Sequence, residues 1–113
     1  MTDLGGSDLE GSDAGGDAQA SILRETLTIT NKRGLHARAS AKFVNTVSKL
    51  PDGVEVTVIK DGTEAAGGSI LGLMMLGAGQ GDTVELVVSG DGAVADAAFA
   101  KLAGLVKDGF GED

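Results

Sequence analysis

The chain has 113 residues, no cysteine, a single histidine and a formal charge of −8. Such a length suits one domain with a modest core, and the missing cysteines exclude a disulfide framework, a thiol nucleophile and a thiolate zinc site. The acidic balance argues against nucleic-acid binding, while no apolar run reaches the roughly 20 residues of a membrane span and no basic-then-apolar leader opens the chain, so a cytoplasmic protein is expected.

Residues 1–22 repeat Gly, Ser and Asp, and residues 1–20 carry Asp3, Asp8, Glu10, Asp13 and Asp17 with no base. This composition holds too few apolar groups to offset the entropy of ordering, and it predicts a disordered acidic extension. A docking arm for a partner is the functional alternative. The folded domain is expected over 23–107, with a flexible acidic tail at 108–113. Residues 21–113 hold twelve acids and nine bases, and four of those bases, Lys32, Arg33, Arg38 and Lys42, fall within eleven residues around His36.

Glu25 to Thr30 alternates Leu27 and Ile29 with threonines, the period of a half-buried strand. Asn31 to Leu35 forms a turn. From Ala37 to Leu50 the period changes, with Phe43, Val47 and Leu50 on one helical face and Lys42, Asn45 and Lys49 on the other. Pro51-Asp52-Gly53 ends this helix. Val54 to Val58 is a second strand, Asp61-Gly62 a type I′ hairpin turn, and Thr63 to Ala66 a third strand. Ser69 is a good N-cap for a short helix over Ile70 to Leu76. Val84, Leu86 and Val88 mark a fourth strand, and Asp91 can cap a last helix whose stripe is Ala95, Phe99, Leu102 and Val106. The order β-α-β-β-α-β-α predicts a two-layer α+β sandwich, with a mostly antiparallel sheet and all helices on one side. That architecture hosts many functions and does not choose among them.

His36 sits at the start of the first helix. Unpaired N–H groups and the dipole at a helix start favour a nearby anion. The same field, with Arg38, favours the neutral imidazole, which is the form that attacks phosphorus. Arg38 can then hold the new phosphoryl group through parallel bonds from its planar fork. A position at a helix start is equally consistent with a histidine that merely caps. No second His, Cys or acidic cluster stands beside it in sequence, so no metal is expected. With no phosphate-cradling Gly-Lys-Ser/Thr loop, the chain reads as an acceptor of phosphoryl groups, not a kinase. Ser69 reads either as a plain cap or as a site where a phosphate would gain from the helix start. After it, Ile70, Leu71, Leu73, Met74, Met75 and Leu76 are apolar nearly all round. One side can pack inward, leaving the other as an adaptable partner surface, unless the whole helix is buried.

Gly34-Leu35-His36-Ala37-Arg38 ahead of the hairpin, and Ser69-Ile70-Leu71-Gly72-Leu73-Met74 after it, resemble the HPr family. Members are histidine-containing phosphocarriers of the bacterial phosphoenolpyruvate-dependent phosphotransferase system. The resemblance covers about residues 23–107. It implies the HPr-like open-faced sandwich, βαββαβα, with a four-stranded antiparallel sheet and three helices on one face. It also implies a monomeric carrier without cofactor, itself no enzyme, phosphorylated at His36 through Nδ1 with Arg38 as the phosphate-binding neighbour. Enzyme I would be the donor and a histidine of a IIA-type protein the acceptor. By the same resemblance Ser69 matches the serine modified by HPr kinase/phosphorylase in some bacteria, and Ile70, Leu71, Met74 and Met75 match the patch that docks Enzyme I and the IIA proteins. Ala39 stands where the family most often has proline, which would fix φ at the helix start. That departure and the acidic extension look more like the regulatory, nitrogen-type branch than a sugar-transport carrier. A non-catalytic regulatory or ligand-binding βαβ module is the competing reading. An RNA-binding domain of similar topology fits poorly, since the only aromatics are Phe43, Phe99 and Phe110.

Overall fold

The computed structural model describes residues 20–112. Four strands and three helices follow in chain order: β1 (Ala20–Thr28), α1 (Ala37–Ser48), β2 (Glu55–Lys60), β3 (Thr63–Ala66), α2 (Ile70–Met75), β4 (Thr83–Asp91) and α3 (Gly92–Lys107), closed by a 3₁₀ turn (Gly109–Gly111). The sheet order is β1-β4-β2-β3, with every neighbouring pair antiparallel. Alternation decides which face is covered. Leu27, Val56, Val58, Ala65, Val84, Leu86 and Val88 are buried, while their strand neighbours stay wet or half-buried. The helices supply the opposing layer through Ala39 and Phe43 of α1, Leu73 of α2, and Ala95, Ala98, Leu102 and Val106 of α3. The expected open-faced sandwich is the observed fold.

The boundaries differ in instructive ways. β1 begins at Ala20, inside the segment 1–22 read as extension, because β4 also runs on to Asp91 and pairs with it from Ala20↔Asp91 to Thr28↔Thr83. Strand pairing satisfies the backbone there whatever the side chains. The rest of that segment, residues 1–19, lies outside the described residues. Asp61 and Gly62 both take positive φ, as the type I′ turn requires. Asp91 occupies the cap position of α3 without a side-chain bond, where it is still the last residue of β4.

The larger correction concerns the tail. The sequence predicts a flexible tail over 108–113, but Phe110 is 1% exposed and joins the core; Asp113 lies outside the described residues. Gly109, Phe110 and Gly111 all take positive φ, so the chain turns in a left-handed sense directly after α3. A left-handed phenylalanine costs about 1–2 kcal/mol, and burying its ring returns about 2–3 kcal/mol. Lys42 Nζ donates to the Phe110 carbonyl at 2.8 Å and holds the turn from α1.

The turn before α1 is held against the loop before β4. Gly34 has φ +66°, and a Cβ there would come within 2.3 Å of the Ala78 carbonyl oxygen and 2.7 Å of Gly79 Cα. Leu35 N–H donates to the same Ala78 carbonyl at 2.9 Å, and buried Asn31 donates through Nδ2 to the Gly34 carbonyl at 2.9 Å. Only glycine allows both the backbone sense and the approach. Gly34→Ala is therefore expected to lower the unfolding free energy by about 3 kcal/mol or more. A urea midpoint within error of the parent would contradict this packing.

Candidate functional site

His36 is the N-cap of α1, with extended backbone at φ −77° and ψ −178°. Its carbonyl accepts the first intrahelical bond from Ser40 N–H at 2.9 Å. Its side chain folds back over the helix start, so that Arg38 N–H donates to Nδ1 at 3.2 Å. The imidazole thus occupies the place a Ser or Asp side chain takes at most helix starts. The ring is half-enclosed at 20% exposure. It stands in an open cleft lined by Lys32, Arg33, His36, Arg38, Lys42, Gly111 and Glu112. The basic cluster visible in sequence is therefore a cluster in space, and Lys42 alone of its cations is bonded to the tail.

Glu112 is the one acid in that cleft, and it was not anticipated. Its carboxylate oxygens lie 2.9 and 3.1 Å from Nε2 of His36. Asn31 Nδ2 donates to the same carboxylate at 3.0 Å. Asn31 Nδ2 thus faces two acceptors, the Gly34 carbonyl and Glu112, which fixes the sense of its amide. A Gly-rich acidic tail reads as disorder. The signal in sequence was Phe110, a large apolar residue between two glycines with no other reason to be there.

Ala39 is fully buried, and the turn ahead of it is held by Gly34, Leu35 and Asn31 rather than by the φ of residue 39. Ser40 adds a bond from Oγ to the Leu35 carbonyl at 3.3 Å. The missing proline thus leaves a turn fixed by tertiary contacts.

Ser69 caps α2 as expected, its Oγ accepting from Gly72 N–H at 2.9 Å. Beyond it the helix divides. Leu73 and Leu76 are buried, while Leu71 and Met75 are 67% and 75% exposed and Ile70 and Met74 stand at the surface beside them. Only Ile22 joins these four as an exposed large hydrophobic among the described residues. α2 packs against α1, whose N-terminus carries His36.

Comparison with known proteins follows the same outline. A family model described as "PTS HPr component phosphorylation site" matches residues 23–108. A phosphocarrier protein HPr of Neisseria meningitidis is 44% identical over 91 residues, covering 80% of this chain and 98% of the relative. A phosphocarrier protein NPr of Shewanella violacea is 40% identical over 90 residues, covering 80% and 94%. Among solved structures, HPr-C-His from Thermoanaerobacter tengcongensis superposes with a TM-score of 0.70 at 40% identity, covering 80% of this chain and 98% of that one.

The bond to His36, with lesser help from Asn31 and Lys42 and against partial desolvation, holds the Glu112 carboxyl below its ordinary value of 4.5. A depressed folded value means that the docked tail favours the carboxylate. Its contribution is complete above the ordinary value and is lost as pH falls through the lowered one. Docking of residues 108–112 should therefore persist down to about pH 5 and loosen only in the acid range below 4.5. The Asn31 side-chain amide resonances report it, and loss of the contact between about pH 7 and 5 would contradict the pairing.

Proposed function

The chain belongs to the HPr family, the phosphocarriers of the phosphotransferase system, and from that premise we propose that His36 is the residue that carries the phosphoryl group. It accepts the group at Nδ1 from phosphorylated Enzyme I and passes it to a histidine of a IIA-type protein. The observation that carries this reading is the placement of Nδ1 over the N-terminus of α1, inside a cleft with Lys32, Arg33 and Arg38 on its walls.

The chemistry follows from that placement. Transfer between two histidines is an in-line displacement, in which positioning and charge stabilisation outweigh acid–base work. A phosphoryl group on Nδ1 adds roughly two negative charges. The N–H of Arg38, now bonded to Nδ1, is free to turn to a phosphate oxygen when the lone pair is spent. The helix start contributes about 0.3–1 kcal/mol toward an anion there, and the guanidinium of Arg38 can donate two parallel bonds to it. A group that must leave again needs this moderate hold and no more.

Ile70, Leu71, Met74 and Met75 form the docking surface for Enzyme I and the IIA proteins. A small apolar patch with a cationic cleft nearby suits a complex that forms often and dissociates quickly. Ser69, at the edge of that patch, is the regulatory position, a substrate for an HPr kinase/phosphorylase type of enzyme. A phosphate there would set a dianion beside the patch and repel acidic partner surfaces. We favour the regulatory, nitrogen-type branch, acting in the cytoplasm. One feature supports it: Arg38-Ala39-Ser40 in place of the proline-containing turn.

The test uses the full chain with Enzyme I and phosphoenolpyruvate. Acid-labile, base-stable phosphate should appear on the wild type and be absent from His36→Ala. If His36→Ala still accepts it, the relay reading fails and a binding module takes its place. In the same assay Ser69→Asp should slow phosphorylation of His36 by at least about threefold, and unchanged kinetics would remove Ser69 from the regulatory reading.

A further inference from the structure

We propose that the acidic segment ahead of β1 is an intramolecular ligand of this domain: residues 13–19 lie along the furrow between α1 and α3, with the Asp17 carboxylate set between Lys49 and Lys101. The proposal does not depend on the carrier role of His36. It concerns the side of α1 away from the exposed residues of α2.

α1 packs against α2 on one side and α3 on the other. On the α3 side the two helices leave a furrow with an apolar floor, where Leu50, Val94 and Leu105 are only half-buried around Ala98. Lys49, the C-cap of α1, and Lys101 of α3 stand across from each other at its middle and line both of its halves. Both side chains are exposed. Among the described residues neither ammonium has an acid within ion-pair distance. An apolar floor between two uncompensated cations fits a small-residue, acidic segment.

The chain itself arrives at one end of that furrow. Ala20, the first described residue, lines a recess with Pro51, Asp52, Asp91 and Val94, and Pro51 and Val94 also line the furrow. Residues 1–19 therefore meet the domain at the furrow's mouth. The spacing of charge then matches. An extended chain advances about 3.3 Å per residue and a helix about 1.5 Å. Asp17 precedes Ala20 by three residues and Lys101 follows Val94 by seven, so both come about 10 Å in from the mouth. Ala18 and Gln19 carry no charge where the mouth holds Asp52 and Asp91, and Ala14, Gly15 and Gly16 are small enough for the shallow stretch beyond the lysines. Asp108 lines the far end, where its charge repels Asp13 and limits the docked stretch to that residue.

A composition too poor in apolar groups to fold alone can still dock. The segment runs directly into β1, so its contact with the furrow is intramolecular and its effective concentration is in the millimolar range, on the order of that for a short flexible linker. Under such tethering, two weak surface ion pairs and the covering of half-exposed leucine and valine are enough to populate the docked state. A separate acidic peptide of equal intrinsic affinity enters only at its own bulk concentration and competes at a disadvantage. Docked in this way, the segment covers the α3 side of α1 and leaves Ile70, Leu71, Met74 and Met75 of α2 clear.

The chain has no cysteine, so Ser12→Cys in the full chain takes a single nitroxide label. In nitrogen-15 spectra the label should strip amide intensity from Thr46, Lys49, Lys101 and Leu105 and spare Thr26, Thr57 and Glu85 of the sheet. Asp17→Lys should restore most of the lost intensity. Adding Lys49→Glu and Lys101→Glu to Asp17→Lys recreates the pairing with signs exchanged and should bring the broadening back, at least about twofold above Asp17→Lys alone. Broadening spread evenly over both layers, broadening centred on α2, or a pattern unmoved by Asp17→Lys overturns the proposal. A mixture of spin-labelled nitrogen-14 protein with unlabelled nitrogen-15 protein should show no broadening; if it does, the furrow takes the segment of a second copy and the intramolecular reading fails. Phosphate uptake at His36 enters none of these outcomes, so failure of the carrier role and failure of the docking are read separately.

Discussion

The close approach of Gly34 to the Ala78–Gly79 backbone is the constraint on which the rest of the site depends. It pins the turn between β1 and α1 against the loop leading into β4, through contacts too short for any side chain at residue 34. With the turn pinned, Leu35 enters the core, the His36 carbonyl opens α1, and the imidazole closes over the helix start. Asn31 spans the same turn and reaches Glu112, so its two sides, the start of α1 and the returning tail, share a single anchor. Proline at residue 39 would stiffen one torsion of this arrangement. Glycine at 34 fixes the relation between two loops, and that relation aims the ring.

Charge is distributed to the same end. The chain is acidic overall, yet the described cleft gathers Lys32, Arg33, Arg38 and Lys42 around its one histidine and admits one acid, placed at the nitrogen away from the helix start. Next to it α2 offers methionine and leucine to solvent on a helix only six residues long. Flexible apolar side chains adapt to more than one partner, which suits the proposed relay. The exposed apolar patch and the polar cleft lie on elements packed against each other.

Much of this was legible in the sequence. Leu27 and Ile29, Val56 and Val58, and Val84 to Val88 alternate clearly enough to fix the covered face of the sheet, and Asp61-Gly62 specified its turn from backbone stereochemistry alone. Ser69 was legible as a cap because capping needs only an oxygen three residues ahead of a free N–H. The lost information is of two kinds. Residues 20–22 gain their order from a partner strand more than sixty residues away, which no local pattern records. The tail combined glycine and acid, which read as disorder locally, with one buried ring and one long-range carboxylate contact that reverse that reading. Its left-handed turn is favourable only because the core has room for Phe110, and room in a core is a property of the whole fold.

The central claim is that the phosphoryl group is held on Nδ1 of His36 over the start of α1. Phosphorylated, nitrogen-15-labelled protein tests it most directly. The account predicts a one-bond phosphorus–nitrogen coupling to Nδ1, together with the largest backbone amide shifts at Arg38 and its neighbours in the first turn. Coupling to Nε2, or amide shifts centred away from the N-terminus of α1, would contradict it.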